Sequence, residues 1–213
     1  FHTNFKLSRG QNEWILLADA GVTIVCSQIC AEELAVKGKR EWERPPSAPE
    51  YSLQNYRMVQ PGITFGDSMA FDDGERRLEL KRVGPAHTIG DAVALLPKEG
   101  ILFTGDLCVN WRAGNNMGDR DADHAHWAKV LLDLADWNVK TVIPGHGDPG
   151  TTATLRAQSA FIEDVWTQVS AGKRAGKSAD ELVRTLEFTR HGDFAADARQ
   201  NEAAIRAVFA KAR

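Results

Sequence analysis

The chain of 213 residues has three cysteines, Cys26, Cys30 and Cys108. An odd count with no CxxC pair argues against a disulfide framework and against a cage of thiolates around zinc, and leaves the thiols as small core residues. Long apolar runs are missing too, and no stretch approaches the length of a membrane span. Nor does one sign of charge dominate: 26 Lys and Arg against 29 Asp and Glu give a net charge of −3. That balance offers no electrostatic case for nucleic acid or an anionic membrane surface, so a small-molecule substrate is the expected partner. No targeting segment is visible, and the chain opens at Phe1 rather than Met. What precedes Phe1, the compartment (cytoplasmic or periplasmic) and the oligomeric state therefore stay open.

With 43% hydrophobic residues, the chain is expected to form one domain over 1–213, with a core that needs no staples and with 151–213 as a C-terminal helical portion. Its organising stretch is VGPAHTIGDAVALLPKEGILFTGDL, Val83 to Leu107. Two apolar runs, Ala92 to Leu96 and Ile101 to Phe103, flank a Pro-Lys-Glu-Gly turn and read as a buried hairpin. His87 falls just before the first strand and Asp106 just after the second. A third strand, Thr141 to Ile143, feeds the turn Pro144-Gly145-His146-Gly147. Two imidazoles and a carboxylate are thereby delivered to strand ends, where loops present ligands, and they are zinc-type donors.

HTIGDAVALLPKEGILFTGDL followed by VIPGHG resembles the second half of the metallo-β-lactamase superfamily, over roughly Phe1 to Trp166. The resemblance implies an α/β, αββα four-layer sandwich in which His87, Asp106 and His146 are metal ligands. It also implies that several strands precede the first metal motif. That motif would fall at Phe1 to Gly10, so the fold is expected to be N-terminally incomplete. The family's HxHxDH cluster would lie on FHTNFKLSRG. One register puts His2 at the first His, Asn4 at the second, Lys6 at the Asp and Leu7 at the last His. A competing register makes His2 the second His, with Asn4 at the Asp and Phe5 at the last His. Both remove the second metal's share of the motif.

The donors implied are then His2 and His87 on one metal, with Asp106 and His146 on the other. Asn4 is a poor substitute donor, and Lys6 is a candidate counter-ion for Asp106. Zinc is expected at no more than one weakly bound equivalent. A hydrolytic zinc site keeps one coordination position open for water, so the resemblance implies a hydrolase of an ester, thioester, lactone or lactam, with His87 and Asp106 as catalytic residues. The loss within FHTNFKL supports the alternative, a catalytically silent relative that uses the cleft for binding.

Elsewhere the patterns predict a helix over 11–20, a strand over 22–26 and a helix over 27–37 capped by Ser27, with Ile29, Leu34 and Val36 inward. The stretch 38–61 reads as a connector, and 71–83 as a hairpin turning at Asp73-Gly74. The polar segment 108–126 is of a length that is usually functional. His124 and His126 open a helix whose apolar stripe is Trp127, Val130, Leu131, Leu134 and Trp137, and they are read as first-turn residues rather than ligands. Further helices are expected over 151–170, from the capping box at Ser178, and over 193–212. His191 is read as a solvated turn residue.

Overall fold

The computed structural model describes residues 21–38, 59–111, 114–119 and 121–213. The predicted helix over 11–20 and most of the 38–61 connector lie outside them. Strand β1 (Val25–Ser27) runs into helix α1 (Gln28–Glu33), whose first turn is capped by Ser27 Oγ accepting from Cys30 N. The helix continues as one π-helical segment, Leu34–Gly38. Leu34 is buried as expected, but Val36 is 61% exposed, because the wider π turn rotates it off the inner face. β1 pairs in parallel with β2 (Ile63–Phe65) as a two-stranded sheet.

The larger sheet holds β3 (Ser68–Asp72), β4 (Arg77–Arg82), β5 (Ala92–Leu96), β6 (Ile101–Asn110) and β7 (Thr141–Gly147), in that order. The first three pairings are antiparallel; β3–β4 and β5–β6 follow the hairpins read from the Asp73-Gly74 and Pro97–Gly100 turns, and β4–β5 closes across the loop that carries His87. β6 and β7 are parallel, which requires a crossover, supplied by helix α2 (His124–Ala135).

The ends of the two strands that carry Asp106 and His146 differ from the sequence reading, as does β1, which covers Val25–Ser27 rather than 22–26. β6 does not end before Asp106 but runs through it to Asn110, and β7 takes in the whole Pro-Gly-His-Gly segment. The β6–β7 register slips between Phe103 and Gly105 and again between Gly105 and Val109. Such irregularities re-aim side chains where regular pairing would not. Asp106 and His146 therefore sit on adjacent, bulged strands rather than in loops beyond them.

Helix α3 (Thr152–Arg174) is followed by α4 (Ala179–Thr185), a 3₁₀ segment (Thr189–Ala195) and α5 (Ala198–Lys211). The capping box at Ser178 and Glu181 is formed as the sequence indicates. The last helix starts later than expected, because Asp197 caps it by accepting from Arg199 N and Gln200 N. One core joins the sheet to these helices: Val93, Leu102 and Val142 from the strands, Trp127 and Leu131 from α2, Phe161 and Val165 from α3, and Val208 from α5. The described residues thus combine helices and sheets in a manner consistent with the α/β sandwich of the metallo-β-lactamase fold. No helix among them is long and apolar enough to cross a membrane.

Candidate metal centre

His87 is carried by the loop between β4 and β5, and that loop is pinned from below. Asp91, buried, accepts from Thr88 N at 2.8 Å and from Thr88 Oγ1 at 2.5 Å. The Gly90 carbonyl accepts from Ser27 Oγ at 3.0 Å. Gly90 also meets the start of α1 so closely that a Cβ there would lie 2.9 Å from Cys30 Cα. Burial pushes the Asp91 carboxyl above its usual range, opposed by the Thr88 bonds and by His87.

The His87 ring is fully buried, edge-on to Trp127 with centroids 5.2 Å apart. Burial alone favours its neutral form, but Asp119, Asp91 and Asp106 together hold its pKa above the ordinary value. Its Nε2 lies 2.7 Å from Asp119 Oδ2. The contact is close without being aligned as a hydrogen bond, and Nδ1 is buried with no hydrogen-bond partner among the described residues.

On the neighbouring strands, Asp106 is 7% exposed and its Oδ1 stands 3.5 Å from Nε2 of His146, whose side chain is 40% exposed. Two glycines of Pro144–Gly147 make this possible. A Cβ on Gly145 would fall 2.1 Å from Asp106 Oδ1, and one on Gly147, whose φ is +91°, would fall 2.1 Å from the Asn110 carbonyl. Asn116 donates to the Asp106 carbonyl at 2.7 Å. Trp111 lies beside the His146 ring, centroids 5.2 Å apart and tilted by 42°.

Of the donors expected from sequence, Asp106 and His146 are brought together and His87 is paired with Asp119. Among the described residues no three His, Cys, Asp or Glu side chains converge closely enough to hold a metal ion. His2, Asn4 and Lys6 lie outside the described residues. Sequence reasoning missed Asp119 and Asn116, which sit in the polar segment after β6, and passed over Asp91 inside a motif it had quoted.

His124 and His126 open α2 as read. His124 is fully buried, with Nε2 2.8 Å from the Met117 carbonyl. His126 is exposed, and its ring Nδ1 meets the Pro85 carbonyl at 2.5 Å. His191 corrects the expectation of a solvated side chain. Only 11% exposed, it has Nε2 2.9 Å from Asp164 Oδ2 and packs edge-on to Phe161, while Arg190 pairs with the other oxygen of Asp164.

The sequence profile of the metallo-beta-lactamase superfamily matches residues 22–146. Among solved structures, a metallo-beta-lactamase from Pontibacter korlensis is 25% identical, with a TM-score of 0.56 over 70% of this chain and 62% of that one. The DIM-1 metallo-beta-lactamase is 21% identical, with a TM-score of 0.55 over 70% of this chain and 62% of its own. TMB-1 is 22% identical, with a TM-score of 0.55 over 70% and 61%. The chain thus spans about three-fifths of the length of these relatives. No curated protein matches.

Proposed function

As the chain belongs to the metallo-beta-lactamase superfamily, we propose that it is a zinc-dependent hydrolase acting on an ester, thioester, lactone or lactam of a small molecule. The observation that carries this reading is the spacing of Asp106 and His146. Two donors about 2 Å from one tetrahedral zinc stand about 3.3 Å apart, and Asp106 Oδ1 and His146 Nε2 are 3.5 Å apart. A simple hydrogen bond would draw them closer. The chemistry of the set, imidazole nitrogen and carboxylate oxygen, also suits zinc.

The residues that would hold the metal are Asp106 and His146, which stand together, while the resemblance assigns His87 and His2 to the other metal position; among the described residues no third donor joins either pair. When bound, zinc supplies Lewis acidity toward a carbonyl and makes water a competent nucleophile near neutral pH. The chain's own groups divide the remaining work. Asp106, nearly buried, would offer a carboxylate oxygen to the metal from within β6. His146, the more exposed partner, faces the substrate side, and the Trp111 ring beside it gives the substrate an apolar wall.

Zinc content of protein dialysed against zinc, read by plasma emission, together with hydrolysis of an ester, thioester, lactone and lactam panel, tests the proposal. At most one equivalent and turnover abolished by chelation are expected. Two tightly held equivalents would contradict the altered FHTNFKL motif. Bound zinc with no turnover on any member of the panel would favour a binding role instead.

A further inference from the structure

We propose that Asn115 is a positioning residue for the Asp106–His146 pair, tying the strand that carries Asp106 to the C-terminal helix α5, a role that rests on the reading of that pair as a metal centre. Asn115 lies in a polar segment yet is only 3% exposed. Its side-chain amide is engaged at both ends. Nδ2 donates to the Phe194 carbonyl at 3.0 Å and to Asn201 Oδ1 at 3.1 Å, and Oδ1 accepts from Met117 N at 3.2 Å. Its backbone N–H donates to Gln200 Oε1 at 2.6 Å, and that of Gly114 donates to the Asp193 carbonyl at 2.6 Å. Asn201 Nδ2 in turn donates to the Ala195 carbonyl at 2.7 Å. One buried amide thus joins the segment 114–118, the 3₁₀ segment and α5, and α5 is itself fixed in the core through Ile205 and Val208.

The other end of this clamp is the candidate centre. Asn116, the next residue, donates through Nδ2 to the Asp106 carbonyl at 2.7 Å. That carbonyl lies where the β6–β7 register slips, between Gly105 and Val109, so a side chain from the clamped segment supports the backbone at the place where regular strand pairing is interrupted. On the inner side Met117, fully buried, offers its carbonyl to His124 Nε2 at 2.8 Å. Small residues let the segment close on α5: a Cβ on Gly114 would lie 1.9 Å from Gln200 Oε1, and one on Gly118 would lie 2.9 Å from Ala203 Cβ. A buried amide network of this kind holds a single geometry, because any other arrangement leaves a donor or acceptor unpaired away from water. Asn115 therefore passes the rigidity of α5 to Asn116, and Asn116 passes it to the backbone of Asp106.

The test uses the intact chain and two readouts: amide hydrogen exchange over residues 105–110 in metal-free protein, and titration with Co(II), whose visible bands report the geometry of its ligands. Asn115→Leu should speed exchange over 105–110 by about tenfold, weaken Co(II) by about 10–100-fold and alter the bands. Asn201→Ala, which leaves Asn115 in place and removes its partner on α5, should move both readouts in the same direction, and the double variant should add little to either single change because the two act as one unit. Ser159→Ala is the control for stability alone. It removes a buried bond to the Ala128 carbonyl between α3 and α2, and it should lower the melting temperature without moving exchange over 105–110 or the Co(II) bands. If Asn115→Leu behaves as Ser159→Ala does, the inference is overturned. Should Asn115→Leu not fold, Asn201→Ala decides by the same two readouts. Wild-type protein that takes up no Co(II) would defeat the metal reading by itself, and exchange in the metal-free protein would still decide whether Asn115 positions Asp106.

Discussion

At the scale of single residues, the candidate centre depends on side chains that are absent as much as on those present. Gly145 reads in sequence as a turn residue, yet it lies in β7 and makes room for a neighbour's carboxylate. A methyl group at that place would collide with Asp106 Oδ1 and with the Gly105 backbone, 2.6 Å away. Because the second obstacle is backbone, it cannot swing aside. Gly145→Ala should therefore displace Asp106, cost about 1–3 kcal/mol as an overpacking change, and weaken zinc. A calorimetric scan with a parallel zinc titration checks it, and unchanged affinity would show that the Asp106 position is immaterial to the metal.

His124 supports a different prediction, on pH. Burial pulls its pKa below 6.5, helped by the charge of Lys211 and opposed by its bond to the Met117 carbonyl. The folded state therefore binds this proton less readily than the unfolded state does. Its contribution to stability is fully present above about pH 6.5 and is lost as pH falls through the depressed folded value. The melting temperature should drop on acidification below pH 6.5, and His124→Gln should flatten that slope while leaving zinc content intact. An equally steep slope in the variant would assign the acid sensitivity to other groups.

At the scale of elements, β6 shows why strand ends were the least legible part of the fold. The apolar alternation runs out at Phe103, so the sequence pointed to a strand ending before Asp106. The strand continues because other elements satisfy its backbone where pairing with β7 slips. Gln158, buried on α3, accepts from Val109 N at 2.9 Å and donates to the Leu107 carbonyl at 3.1 Å, and Trp127 Nε1 donates to the same carbonyl at 2.9 Å. These are contacts across long sequence separations, invisible to local pattern. The same holds for His191, which looks like a turn residue until Asp164 of α3 is brought against it. Signals held within one or two turns, such as the Ser178 capping box and the Asp73-Gly74 hairpin, were legible because their partners are adjacent in sequence. Gln158→Leu leaves the Val109 N–H buried without its acceptor and should cost about 1–3 kcal/mol. Urea unfolding measures it, and Gln158→Glu, which keeps an acceptor, should lose less if the Val109 bond is what matters.

At the scale of the whole molecule, the motifs pointed to the fold and to three candidate donors, but not to the groups packed around them. His87, Asp106 and His146 stand out because they flank apolar runs. Asp119 does not, since nothing about an acid in a polar segment announces which imidazole it will meet. Binding at a centre shared by strands, loop and α2 should couple to the stability of all of them. A ligand that binds only the folded state stabilises by about 2.7 kcal/mol at a hundredfold excess over its dissociation constant. For a chain of this size each kcal/mol moves the melting temperature by about 2–4 °C. Saturating zinc should therefore raise the melting temperature by on the order of 5–10 °C, and a chelator should reverse it. His87→Ala and Asp106→Ala should each abolish most of that rise, whereas His126→Ala, an exposed first-turn residue of α2, should keep it. A rise that survives loss of either His87 or Asp106 would place the stabilising zinc somewhere other than this centre.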